Sequence, residues 1–145
     1  DFKWTTGVKK GLKKLTANNF KIIIITNQAG IARGYYKRKD VMKLHKWLKI
    51  ECKKEGAIIN DFFICPHHPT AGLGKLRIKC KCRKPNNLLI KKAIKKWKIS
   101  KKFSFMIGDK KTDYQCAKKS GIKFFYKKKN RFDIQISSIL KNFNF

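Results

Sequence analysis

Four consecutive isoleucines, Ile22–Ile25, are the longest unbroken aliphatic run in the chain, and they limit what the rest of it can become. β-Branched side chains lose rotamer freedom in a helix and pack well on a pleated surface, so Lys21–Thr26 is predicted as a strand. The run shows no polar alternation. That marks a strand covered on both faces, which stops at the turn-forming Asn27-Gln28-Ala29-Gly30. It is also far below the roughly 18 apolar residues of a membrane span.

A strand of this kind needs helices on either side, and the flanking sequence supplies them. Val8, Leu12 and Leu15 recur at helical spacing within residues 6–18. A second helix is predicted from Arg38 to about Glu55, with Val41, Leu44 and Leu48 inward, Trp47 beside them and Gly56 closing it. The order then continues with a strand at Phe62–Cys65, a loop from Pro66 to Pro85 and a helix at Leu88–Trp97. A strand at Phe103–Ile107, a helix over Tyr114–Ser120 and a strand at Ile122–Tyr126 complete it, and the tail after Lys127 is either a last helix or partly mobile. Such alternation predicts an α/β fold: one domain over residues 1–145, with a parallel sheet between helix layers and its working residues at the carboxyl ends of the strands.

Composition narrows the setting. The chain starts Asp1-Phe2-Lys3-Trp4, without the apolar stretch of a signal peptide, and five cysteines is an odd number for a disulfide scaffold. A reducing, cytoplasmic location is therefore expected, with no membrane partner. The formal net charge is +30, from 38 Lys and Arg against 8 Asp and Glu. Because the lysines occur in every segment rather than along one stripe, the charge predicts nonspecific affinity for polyanions at low salt more than a dedicated nucleic-acid surface.

Three of the cysteines share a short window with two histidines. Cys65-Pro66-His67-His68-Pro69 and Cys80-Lys81-Cys82 are two pairs of soft donors separated by a loop, a set suited to tetrahedral zinc. Cys65, His67, Cys80 and Cys82 are the predicted ligands, His68 lying outside the site; the alternative is free thiols beside an incidental histidine pair. Four protein ligands leave no position for substrate, so the metal would be structural, holding the loop over residues 65–85.

Residues suited to anionic oxygen follow the predicted strands. Thr26-Asn27 ends the first, where a hydroxyl, an amide and turn N–H groups converge, although such a pair is also an ordinary turn. Arg83-Lys84 comes directly after the last predicted zinc ligand and is either a phosphate clamp or solvated surface. Asp109 follows Gly108 at the end of another strand, a position for a magnesium ligand.

Together, residues 26–34 (Thr-Asn-Gln-Ala-Gly-Ile-Ala-Arg-Gly), 65–69, 80–85 and 108–113 (Gly-Asp-Lys-Lys-Thr-Asp) resemble the haloacid-dehalogenase superfamily, within it the sugar-bisphosphate phosphatases of the heptose type. The resemblance implies a three-layer Rossmann-like fold with a zinc-binding loop and magnesium-dependent hydrolysis of a small phosphorylated sugar. It further implies that Thr26 binds the transferring phosphoryl group, with Asn27, Gln28 and Ala29 in the substrate loop. Lys84 would stabilise the phosphoryl intermediate, Arg83 and Lys110 would contact substrate, Asp109 would hold magnesium, and Asp113 would support its loop. Histidinol-phosphate phosphatases, polynucleotide 3′-phosphatases and a non-catalytic phosphate-binding domain are the alternatives.

The superfamily reaction uses an Asp-x-Asp pair at the end of a central strand, the first aspartate attacking phosphorus and the second serving as acid and base. No Asp-x-Asp occurs in the 145 residues. The expectation is therefore a sheet without that strand, in a chain that starts downstream of the nucleophile and is inactive or nearly so by itself. Pro85-Asn86-Asn87 also departs from the family's usual proline-glycine turn.

Overall fold

The computed structural model describes residues 2–143. Among the described residues, α-helices and β-strands follow in the order α1 (Val8–Ala17), β1 (Ile23–Asn27), α2 (Ala29–Ala32), α3 (Arg38–Lys54), β2 (Asp61–Cys65), α4 (Leu88–Trp97), β3 (Phe105–Gly108), α5 (Lys111–Ser120), β4 (Lys123–Tyr126) and α6 (Phe132–Asn142). The alternation read from the sequence is thus realised, and the tail forms a helix. Among the described residues, no helix is long and apolar enough to cross a membrane.

The strands pair in two ladders, β1 with β2 and β3 with β4. In the second, Phe105 faces Lys123 and Gly108 faces Tyr126 in parallel register. In the first, the Asn60 N–H reaches the Ile22 carbonyl and the Gln28 N–H the Cys65 carbonyl, so the strands advance together and are also parallel. Thr26-Asn27 and Gly108 consequently lie at the carboxyl ends of β1 and β3.

The contacts divide the chain into two compact units. The first comprises residues up to Ile24, His45–Asp61 and Lys127 onward. In it, α1 contributes buried Leu12 and Leu15, and α6 contributes Ile136 and Ile139. Gly11 lets the helices approach, because a Cβ there would come within 2.5 Å of the Phe132 ring. Asn60 fastens the base of β1 through its side-chain oxygen, which accepts the Ile22 N–H at 2.7 Å. The second unit comprises Ile25–Leu44 and Phe62–Tyr126, and it holds every residue assigned above to metal or phosphate.

Two packing expectations are corrected. Ile23–Asn27 is half-buried along its whole length rather than covered on both faces, because its ladder has only two strands. On α3 the inward stripe runs through Val41, His45 and Cys52, while Leu44 is 37% exposed and Leu48 half-buried. Positions 41, 45 and 52 share one face at 3.6 residues per turn, and Leu44 falls beside it. Trp47, 42% exposed, instead packs its ring against Phe2 and Trp4. Burial, with Lys49 nearby, holds the His45 imidazole below its ordinary value.

Candidate metal centre and phosphate site

The four predicted soft donors meet in one place. Ligand atoms of Cys65, His67, Cys80 and Cys82 all lie within 4.8 Å of one another. The Sγ–Sγ separations are 3.0 Å for Cys65–Cys82, 3.4 Å for Cys80–Cys82 and 3.5 Å for Cys65–Cys80. His67 presents Nδ1, 3.3 Å from Cys82 Sγ and 3.8 Å from Cys65 Sγ. Zinc with Zn–S near 2.3 Å and Zn–N near 2.05 Å requires tetrahedral edges of about 3.8 Å between sulfurs and about 3.6 Å between sulfur and nitrogen. The three sulfur separations fall short of the first value and the two from His67 Nδ1 lie on either side of the second, and three thiols with one imidazole are a donor set that zinc takes. Burial pushes the Cys65 thiol well above its ordinary value. Burial raises the Cys82 thiol as well; it also acts to raise Cys80, but hydrogen bonds with the Cys82 and Cys65 thiols outweigh it and hold Cys80, which is only half-buried, below its ordinary value.

His68 lies outside this set. Its Nδ1 accepts the N–H groups of Thr70 and Ala71, at 3.2 and 2.8 Å, and shapes the loop. Cys65 and Cys82 are also buried apolar surface, packing with Leu89 against Ile25, Phe63 and Leu88.

The two cations after the last ligand are held by the loop and its neighbours. Arg83 donates its backbone N–H to Cys80 Sγ at 3.3 Å and its guanidinium to the His67 carbonyl at 3.4 Å. Both backbone groups of Lys84 are bound by one side chain: Asn27 Oδ1 accepts the Lys84 N–H at 3.0 Å, and Asn27 Nδ2 donates to the Lys84 carbonyl at 3.2 Å. The Lys84 ammonium lies 3.0 Å from the Ile25 carbonyl and 2.7 Å from Asp113 Oδ1, linking β1 to the first turn of α5. Asp113 Oδ2 accepts the N–H groups of Asp109 and Lys110. Burial acts to raise Asp113, but the Lys84 ammonium and these two N–H groups outweigh it and hold the carboxyl below its ordinary value.

Asp113 is thus the carboxylate that meets Lys84, while Asp109 and Lys110 are exposed at the carboxyl end of β3. Gly108 is needed for this arrangement, since a Cβ would come within 2.5 Å of the Asp113 Cβ. One exposed carboxylate on a fixed loop fits magnesium, which retains most of its waters and uses one or two protein carboxylates.

At the end of β1, Thr26 Oγ1 accepts from Gln28 Nε2 at 3.0 Å, and Gln28 Oε1 accepts from the Tyr36 hydroxyl at 2.7 Å. Ala29, half-buried, opens α2. Nothing in the sequence pointed to Tyr36, which no periodicity links to Gln28. Nor did it assign a use to Asn86, whose amide donates to the Cys80 carbonyl at 2.9 Å. That bond closes the turn where the proline-glycine sequence is lacking.

Known proteins share the fold and much of the sequence. Residues 76–127 match the family model described as haloacid dehalogenase-like hydrolase. The chain is 43% identical over 84% of its length to the D-glycero-alpha-D-manno-heptose-1,7-bisphosphate 7-phosphatase of Photorhabdus laumondii, covering 67% of that protein. It is 36% identical over 95% of its length to the D-glycero-beta-D-manno-heptose-1,7-bisphosphate 7-phosphatase of Rhodopseudomonas palustris, covering 77% of it. The crystal structure of D,D-heptose 1,7-bisphosphate phosphatase from B. bronchiseptica, complexed with magnesium and phosphate, superimposes with a TM-score of 0.73 at 19% identity, over 93% of this chain and 82% of that one. At that identity the likeness establishes the fold, and the sequence identities establish the kinship. The chain belongs to the heptose-1,7-bisphosphate 7-phosphatase family of haloacid dehalogenase-like hydrolases.

Proposed function

We propose that this chain forms the phosphate-handling part of a magnesium-dependent phosphatase that removes the 7-phosphate of a D-glycero-D-manno-heptose 1,7-bisphosphate. The observation carrying this reading is the placement of Lys84. Its backbone is fixed between the metal loop and Asn27, and its ammonium is fixed between a β1 carbonyl and Asp113.

A cation immobilised in this way needs no reorganisation when negative charge develops on a transferring phosphoryl group, and preorganisation of that kind is a large part of catalytic stabilisation. Thr26 supplies a hydroxyl at the same strand end, and Arg83 and Lys110 supply charge for the rest of the substrate. Zinc at Cys65, His67, Cys80 and Cys82 is a structural crosslink that holds Arg83-Lys84 in register. Magnesium at Asp109, when bound, offsets the repulsion between an attacking carboxylate and the phosphate.

No Asp-x-Asp occurs among these residues. The test is phosphate release from the heptose bisphosphate by the 145-residue chain and by the same chain preceded by an Asp-x-Asp strand. Turnover is expected only in the second case and only with magnesium. Hydrolysis at comparable rates by both, or by neither, would remove this reading.

A further inference from the structure

Tyr36, Gln28 and Thr26 form a relay whose polarity decides what the threonine can offer a ligand. Gln28 Oε1 receives the Tyr36 hydroxyl at 2.7 Å, which leaves Gln28 Nε2 facing Thr26 Oγ1 at 3.0 Å. An amide nitrogen can only donate, so the threonine oxygen accepts there and keeps its own hydrogen for another partner. With the amide reversed, Oε1 would take the threonine hydrogen and the site would lose a donor. A phenol is a better donor than acceptor because its oxygen lone pair is delocalised into the ring, so Tyr36 favours the orientation seen. Gly30 makes the approach possible, as any Cβ there would strike the Tyr36 ring. The backbone pins both ends, the Gln28 N–H on the Cys65 carbonyl and the Tyr35 N–H on the Gly30 carbonyl.

We propose that Tyr36 is a positioning residue that fixes the Gln28 amide so that Thr26 presents its hydroxyl hydrogen to an anionic phosphate oxygen. The inference rests on the reading of Thr26 as a phosphate-binding group and adds to it the source of that group's polarity. It also gives Gln28 a supporting role beside the substrate contact, since one N–H and one lone pair of its amide are used within the relay.

The experiment is a titration of isotopically labelled full chain with inorganic phosphate at physiological ionic strength, following the Thr26 and Gln28 amide signals so that general charge attraction is not counted. Thr26→Val should weaken binding at these signals about tenfold, as expected for one hydrogen bond to a charged group. Tyr36→Phe should weaken it several-fold with an unchanged thermal midpoint. Gln28→Glu, whose carboxylate can only accept, should weaken it as much as Thr26→Val. The Gln28→Glu deficit relative to wild type should shrink as the pH is lowered towards about 4.3, where a protonated carboxyl regains a donor and loses its charge; Tyr36→Phe, which adds no charge, carries the part of the deficit that repulsion cannot explain. Tyr36→Phe and Gln28→Glu binding like wild type while Thr26→Val is impaired would overturn the relay and leave the phosphate reading intact. Undiminished binding by Thr26→Val, or no response of these signals in the wild type, would overturn the phosphate reading and the relay with it.

Discussion

Helices α1 and α6 hold together by periodic apolar burial, with Leu12, Leu15, Ile136 and Ile139 all less than a tenth exposed. The stretch from Cys65 to Asn87 has no such face. Of its aliphatics, Leu73 and Ile78 are 68% and 42% exposed and Leu76 is half-buried, and beyond the packing of Cys65 and Cys82 the order comes from point contacts, among them four soft donors, the Asn86 bond to Cys80, and the two-bond grip of Asn27 on Lys84. Many small interchangeable contacts make one region tolerant of any single loss. A few irreplaceable ones make the other dependent on a bound ion.

The largest expected effect follows from that dependence. Cys82→Ser should abolish stoichiometric zinc and with it about 10 kcal/mol of apparent metal-binding free energy. Elemental analysis should give one zinc per wild-type chain and none per variant, and amide signals of residues 66–87 should collapse while those of α1 and α6 persist. A metal-free wild type whose loop signals stay dispersed would show that the loop is ordered by its own contacts, and the contrast would disappear.

Next in size is the buried ion pair. Side chains of Lys84 and Asp113 are 12% and 6% exposed, so Asp113→Ala leaves an uncompensated ammonium and two unaccepted N–H groups. A loss of about 4 kcal/mol is expected in denaturant unfolding. The pH dependence has a definite sign. The folded carboxyl titrates below the ordinary 3.8, so its stabilisation is fully present above that value and is lost as the pH falls through the folded one. Wild type and Asp113→Ala should therefore converge in stability in strong acid. A constant difference there would mean that packing, not charge, holds the site.

Ile136→Ala, at a residue with no exposed surface, should cost about 3 kcal/mol from lost transfer and a residual cavity. Its zinc content should be unchanged. Zinc loss accompanying this substitution would deny that the two regions are ordered by independent means.

These two regions also differ in how far the sequence reveals them. The helix Leu88–Trp97 is bounded in the structure as the sequence predicts, and α1 lies within its predicted range, because Val8, Leu12 and Leu15 repeat with the helical period. The four metal donors were legible from residue type, since thiols and an imidazole in two close pairs have few other uses. The partner of Lys84 was not. Asp109 and Asp113 are both acids after a strand, and only the turn at Gly108, which folds Asp113 back on the N–H groups of Asp109 and Lys110, decides which one meets the ammonium. Tyr36 and Asn86 were invisible for the same reason: their roles lie in one side-chain hydrogen bond each, and a single bond leaves no period. Half-burial of β1 was missed because an apolar run reports what a strand can bury, whereas its neighbours determine what it does bury.

The smallest effect is expected at the rim of the first unit, where Lys9 has two partners at once. Its ammonium is 2.9 Å from Glu55 Oε1 and 4.8 Å from the centre of the Trp4 ring, and the Glu55 carboxylate beside it holds the ammonium above its ordinary value. The Glu55 side chain is 49% exposed, so water and salt screen the pair, and holding a long side chain in one rotamer offsets much of the attraction. Lys9→Met keeps most of the aliphatic stem over the indole and removes only the charge. Its melting temperature should lie within experimental scatter of the wild type in high salt, with a small deficit emerging only at low ionic strength. A large deficit that persisted in high salt would show that the first unit, too, depends on a point contact, and would remove the distinction between burial and pinning from which the other expectations follow.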